Sequence, residues 1–187
     1  MKNIFFIILT IFTTALNAQI VSLETLAQCH SNNQTCPSYT YVKDINGLLN
    51  KYAGTWKGSL DGKTYEINII KKENVPIEFS NTTWDMLIGR VKITDSNGSV
   101  LFNNFNKTDN DASLGYNFQK DLKLYLMNFS GGKSGCIDIG FMYMGIKPET
   151  PNKMTINFHP DYDIVTQDCS NFKTTMPTNN IIHLTKQ

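Results

Sequence analysis

The stretch Gly54-Thr55-Trp56-Lys57-Gly58-Ser59-Leu60-Asp61-Gly62-Lys63-Thr64-Tyr65-Glu66-Ile67-Asn68-Ile69 limits most what this chain can fold into. Two alternating runs flank Asp61-Gly62, and alternation is the pattern of a half-buried strand. An Asp-Gly pair between such runs predicts a two-residue hairpin, because both central positions of that turn need positive φ. Beyond it the period of two recurs. Strands are predicted at 55–60, 64–71, 86–94, 99–105, 121–129, 136–146, 154–158 and 180–185. About eight strands suit a single closed antiparallel barrel, whose closure removes the edges that such apolar strands would otherwise expose. A two-sheet sandwich would use the same strands. Tight connections fall at Asp61-Gly62, at Ser96-Asn97-Gly98 and at 131–135; two longer polar connections fall at 73–83 and 106–119.

The first residues have the layout of a cleavable secretory signal: Lys2, an apolar run over 4–16, and small Ala18 before Gln19. The run is shorter than the roughly 18 to 20 residues a bilayer span needs, and no longer one follows, so no transmembrane segment is expected. The expected organisation is a signal at 1–18, an N-terminal arm at 19–43 and one barrel domain at 44–187. The chain carries 17 basic and 16 acidic residues, and Lys2 leaves with the signal, which balances the charges. With no Lys/Arg-rich run, nucleic acid and anionic membrane are not expected partners. Cys29, Cys36, Cys136 and Cys169 remain, an even number in a chain bound for an oxidising space. Of the three connectivities, the local one pairs Cys29 with Cys36 and Cys136 with Cys169, closures worth about 2.5 and about 4 kcal/mol on the loop-entropy model. Polar residues over 27–39 read as a looped arm. Ile45, Leu48, Leu49 and Tyr52 at helical spacing behind Asp44 predict one or two helical turns over 44–52, with Gly47 weakening them.

Lys51-Tyr52 followed by Gly54-Thr55-Trp56 resembles the opening of lipocalin-like barrels, and avidin-type barrels also begin with a Gly-x-Trp strand and a hairpin. The resemblance implies a short helix closing one end, Trp56 packed over the barrel floor, and a cation near the end of the last strand, here Lys186, against the indole. A second resemblance spans most of the chain. Tyr41-Val42-Lys43-Asp44-Ile45, Gly54-Thr55-Trp56-Lys57-Gly58 and Trp84-Asp85-Met86-Leu87-Ile88-Gly89-Arg90 with Lys92-Ile93-Thr94-Asp95 are similar to an uncharacterised family of small exported proteins from Bacteroidetes. That family implies export and brings no activity, ligand or catalytic residue.

Within Trp84-Asp85-Met86-Leu87-Ile88-Gly89-Arg90, alternation puts Trp84, Met86, Ile88 and Arg90 on one face and Asp85, Leu87 and Val91 on the other, with Gly89 a place where a bulge would exchange them. An inward Arg90 would offer a planar fork to an acidic head group; the preferred reading is an outward Arg90 paired with Asp85 or Asp95. The strand at 136–146 is apolar on both faces, so its outer side calls for a cover or a partner. Catalytic sets are not evident. His30 and His183 stand apart from any nucleophile, and Gly132-Lys133-Ser134-Gly135 lacks the spacing of a nucleophile elbow. The nearest approach to a metal site is His159, Asp161 and Asp163, three local ligands. Asp109-Asn110-Asp111 begins like a calcium loop, but Leu114 stands where the sharp-turn Gly belongs and Lys120 where the bidentate Glu belongs. The expected function is therefore non-catalytic, without a cofactor: an exported barrel holding a small hydrophobic or amphipathic molecule in its mouth. Trp56, Trp84, Tyr125 and Tyr143 would line that site, with Arg90 for an anionic group. The alternative is an interaction or structural module whose barrel is filled by its own side chains and which presents the 106–119 connection or the 136–146 strand.

Overall fold

In the computed structural model, which describes residues 19–31, 36–133, 135–161 and 165–187, Asp61 and Gly62 both take left-handed φ values, 51° and 73°. They form the expected hairpin between β3 (Gly54–Leu60) and β4 (Lys63–Pro76), which pair without interruption from Leu60↔Lys63 to Gly54↔Ile69. The expected signal at 1–18 lies outside the described residues. The remaining elements are β1 (Ile20–Ser22), helix α1 (Leu23–Ser31), β2 (Tyr41–Lys43), β5 (Thr83–Thr94), β6 (Val100–Asn103), β7 (Ser113–Phe118), β8 (Leu124–Ser130), β9 (Ile139–Ile146), β10 (Lys153–Pro160) and β11 (Ile182–Lys186). The strand order β5-β4-β3-β11-β10-β9-β8-β7 closes on itself where Ile88 and Gly89 of β5 pair with Leu114 and Ser113 of β7. This is an eight-stranded antiparallel barrel, and the sandwich is excluded. β1 and β2 run parallel to each other and extend the sheet from the start of β5, through Tyr41↔Thr83 and Val42↔Trp84.

Several elements depart from the expectation. The predicted strand at 99–105 exists as β6, but it is a short hairpin return on β5 outside the barrel. Its place in the wall is taken by β7, inside the connection expected to be a polar loop over 106–119. The inward positions of β7 are Ser113, Gly115 and Asn117, all buried, so this strand shows no apolar alternation. The helix lies at 23–31 rather than 44–52: Ser22 Oγ accepts the Thr25 N–H at 3.1 Å as an N-cap, and Leu23, Leu26 and Ala27 turn into the core. Residues 44–52 form successive turns, with Asp44 Oδ1 accepting Leu48 N–H at 2.7 Å and Gly47 at φ 68°. β4 also runs further than expected, through a register shift between Lys72 and Val75, so the predicted loop at 73–83 shrinks to a short turn.

The interior is packed from end to end. Trp56, Ile67, Leu87, Val91, Tyr125, Met127, Met142 and Met144 are fully buried. At the floor, Tyr125 lies 5.9 Å from the Tyr52 ring and 4.9 Å from Phe118, while Leu23, Leu26 and Leu49 cover the opening. At the opposite end, Phe129 sits between Phe102 (5.5 Å) and Phe158 (5.7 Å), and Met176 of the segment preceding β11 is buried on the same cluster. Both local disulfides, Cys29–Cys36 and Cys136–Cys169, are formed. The first ties α1 to the arm that follows it; the second ties the same β10–β11 connection that covers the far end.

Candidate functional site

The five residues expected to line a mouth are not brought together. Trp56 is wholly buried in the floor, its Nε1–H donating to Tyr52 O at 2.7 Å. Lys186 Nζ stands 5.2 Å over the indole, as the lipocalin-like opening implies. Gly54 makes that approach possible, since a Cβ there would lie 2.8 Å from Lys186 Cε. Tyr125 is also fully buried; its hydroxyl accepts Leu87 N–H at 3.4 Å, and burial holds its pKa well above the usual phenol value. Trp84, Arg90 and Tyr143 lie on the outer side of the wall.

Arg90 points outward, but its partner is neither Asp85 nor Asp95. Its Nε donates to Lys107 O at 3.0 Å, and one terminal nitrogen donates to Asp109 Oδ1 at 2.6 Å. Lys72 grips the same carboxylate. These two cations hold the Asp109 pKa below the ordinary carboxylate range, Lys72 contributing most. The stretch resembling a calcium loop is therefore a strap pinned across the outside of β4 and β5. Gly89 introduces no bulge, because the β4–β5 register runs unbroken from Thr64↔Thr94 to Lys72↔Met86.

Asp85 is buried on the inner side, and its carboxylate is occupied by structure. It accepts Tyr41 O–H at 2.5 Å, Asp44 N–H at 2.9 Å and Asn74 N–H at 3.0 Å. Burial, then this hydrogen bond and the negative charge of Asp85, push the Tyr41 phenol up to about 12. Asp44 in turn pairs with Lys71 at 2.8 Å. Asp138, a further buried carboxylate, accepts Thr175 N–H at 2.7 Å and Thr175 Oγ1–H at 2.8 Å, fastening the segment that the Cys136–Cys169 disulfide also holds. Each buried acid thus anchors a covering segment.

His159 is exposed, with its Nε2 2.9 Å from Asn157 Nδ2 and its ring 4.9 Å from Tyr143. Asp163, the third expected ligand, lies outside the described residues, and no cluster of three His, Cys, Asp or Glu able to hold a metal occurs among the described residues.

On the outer wall the structure assembles something else. Tyr39, Trp84, Tyr116 and Phe141 form a row, with successive ring centroids 6.5, 6.4 and 5.9 Å apart. Tyr116 is 54 % exposed. The row crosses from the end of the arm over β5 and β7 to β9, which only the β5–β7 closure makes neighbours. Trp84 was legible in the sequence; Tyr116 was missed with its strand, and Phe141 could have been found as an outward position of the doubly apolar β9. A second surface feature is a groove of about 1130 Å³ at the floor end, where the approach to β8, the β9–β10 turn and the end of β11 meet.

No helix among the described residues is long and apolar enough to cross a membrane. No curated protein and no solved structure matches the chain. The family that does match is described only as a family of unknown function, DUF6705; its model spans residues 1–187, and the protein belongs to that family.

Proposed function

We propose that this protein is an exported, non-catalytic interaction module: a barrel filled by its own side chains that recognises its partner on the outer wall. The observation that carries the reading is the continuous buried core from Trp56 and Tyr52 at one end to Phe102, Phe129 and Met176 at the other, which leaves a ligand no room inside. Two disulfides fit an oxidising, extracytoplasmic setting, as does the signal-like start of the sequence. The row Tyr39, Trp84, Tyr116 and Phe141 supports outer-wall recognition, because uncharged aromatic surface is the composition that marks the centre of protein interfaces.

The interior is tested with benzene, which enters dry apolar cavities. Saturable stabilisation by benzene would mean an open interior and would revive a ligand held in the mouth; an unchanged melting temperature is expected. The outer wall is tested by placing a photo-crosslinker at position 116 or, as a control, at exposed Lys57 in the exported protein. A discrete adduct from position 116 and none from position 57 is expected. No adduct at 116, or equal adducts from both, removes the aromatic row as the recognition surface.

A further inference from the structure

The groove at the floor end is built differently from the aromatic row. Gly145 faces outward along its length, since Met144 and Ile146 on either side turn inward. A Cβ at Gly145 would lie 2.8 Å from Leu124 Cδ2 and 3.1 Å from Thr155 Oγ1, which also line the trough, so a side chain there would push both of them into it. Leu122 adds apolar lining and holds a left-handed φ of 59°, a conformation that a non-glycine residue keeps only when its surroundings enforce it.

Lysines frame this apolar trough. Lys51, Lys123, Lys147 and Lys153 line it against Asp121 and Glu149. Lys123 pairs with Asp121 at 3.5 Å, whereas Lys51, Lys147 and Lys153 have no carboxylate partner among the described residues. Lys51 Nζ instead lies 5.1 Å from the Tyr52 ring centroid, and burial lowers its pKa, a penalty that an incoming anion would relieve.

We infer that the groove binds an anionic amphiphile of the fatty-acid type, its alkyl chain lying along Gly145 and its carboxylate drawn to Lys51, Lys147 and Lys153. The combination discriminates. A neutral detergent meets lysines it cannot pair with, and a short carboxylate leaves the apolar trough unfilled. The inference goes beyond outer-wall protein recognition and rests only on the filled interior.

The test is calorimetric titration of the folded, disulfide-bonded protein with dodecanoate, dodecyl maltoside and acetate. Dodecanoate should bind saturably and the other two should not. Lys147→Gln with Lys153→Gln should weaken dodecanoate by about tenfold, as expected for removing two exposed charges that each contribute up to about 1 kcal/mol. These side chains hold no ion pair among the described residues, so the fold is retained. Gly145→Val should abolish binding, with circular dichroism checking that this variant folds. Absence of dodecanoate binding, or equal binding of the maltoside, overturns the inference and leaves the filled-interior reading intact. Dodecanoate binding that survives both groove variants, accompanied by a shift in Trp56 emission, overturns both, because the molecule would then lie inside the barrel.

Discussion

Substituting Met127 and Gly89 together measures how tightly the barrel is filled. Met127 is fully buried on β8, and a Cβ at Gly89 of β5 would stand 2.6 Å from its Sδ and 3.3 Å from its Cε. The two positions form a large and small pair facing each other across the interior. Met127→Ala removes the large member and should cost about 3 kcal/mol, within the range of about 2 to 5 for deleting a buried methionine side chain. For a domain of this size each kcal/mol moves the melting temperature by about 2 to 4 °C, so a drop of about 6 to 12 °C is expected. Gly89→Ala forces the thioether aside and should cost about 1 to 3 kcal/mol. In the double variant the new methyl enters the space Met127 has left, so the clash disappears. The double variant should then be at least about 1 kcal/mol more stable than the sum of the single effects predicts. Urea unfolding at constant slope gives all three values. Additivity within about 0.5 kcal/mol, or a Met127→Ala cost below about 1 kcal/mol, would show that the interior has slack and would refute a barrel filled by its own side chains.

Asp85→Ala should cost about 3 kcal/mol by urea unfolding, because it orphans donors from Tyr41, Asp44 and Asn74, of which the Asp44 N–H is buried; a loss under about 1 kcal/mol would mean the arm is held by packing alone. Replacing Cys136 and Cys169 by Ala should cost about 4 kcal/mol on the loop-entropy model, read by thermal unfolding, and an unchanged midpoint would contradict that model here. Asp109 has a depressed folded pKa, so its contribution is present above the ordinary carboxylate value of about 3.9 and is lost as pH falls through the lower folded value. The stability difference between wild type and Asp109→Asn should accordingly shrink on acidification below about pH 4, and a difference that stays constant to about pH 2 would refute the ion-pair account.

What could be read in the sequence was set by local rules. Asp61-Gly62 dictates its own turn, Cys136 and Cys169 pair across one connection, and Lys186 follows from a pattern that begins at Trp56. What could not be read depends on partners distant in sequence. Gly115 breaks the apolar alternation of its strand because the buried Tyr125 ring, contributed by β8, occupies the space that a side chain there would need. Arg90 was given the right direction and the wrong acid, since Asp109 reaches it only after the strap has crossed β5. The groove around Gly145 was invisible for a similar reason: its lysines come from 51, 123, 147 and 153, separate turns gathered at one end of the barrel. Ser22 with Leu23, Leu26 and Ala27 carries a legible cap and helical spacing ahead of the polar stretch that follows.

The seam between β11 and β3 has a bearing on when the barrel can form. Only Thr185↔Lys57 and Lys186↔Trp56 register the two strands, and they join positions more than a hundred residues apart. Closing a loop of that length is an entropic barrier that local contacts cannot prepay, so the pairing is a late event in folding. Until residue 186 has emerged, Trp56 lacks its cation and the wall stands open along one side, with the edges of β3 and β10 unpaired. β11 is thus the strand that removes both of these edges at once, by pairing with β3 on one side and β10 on the other.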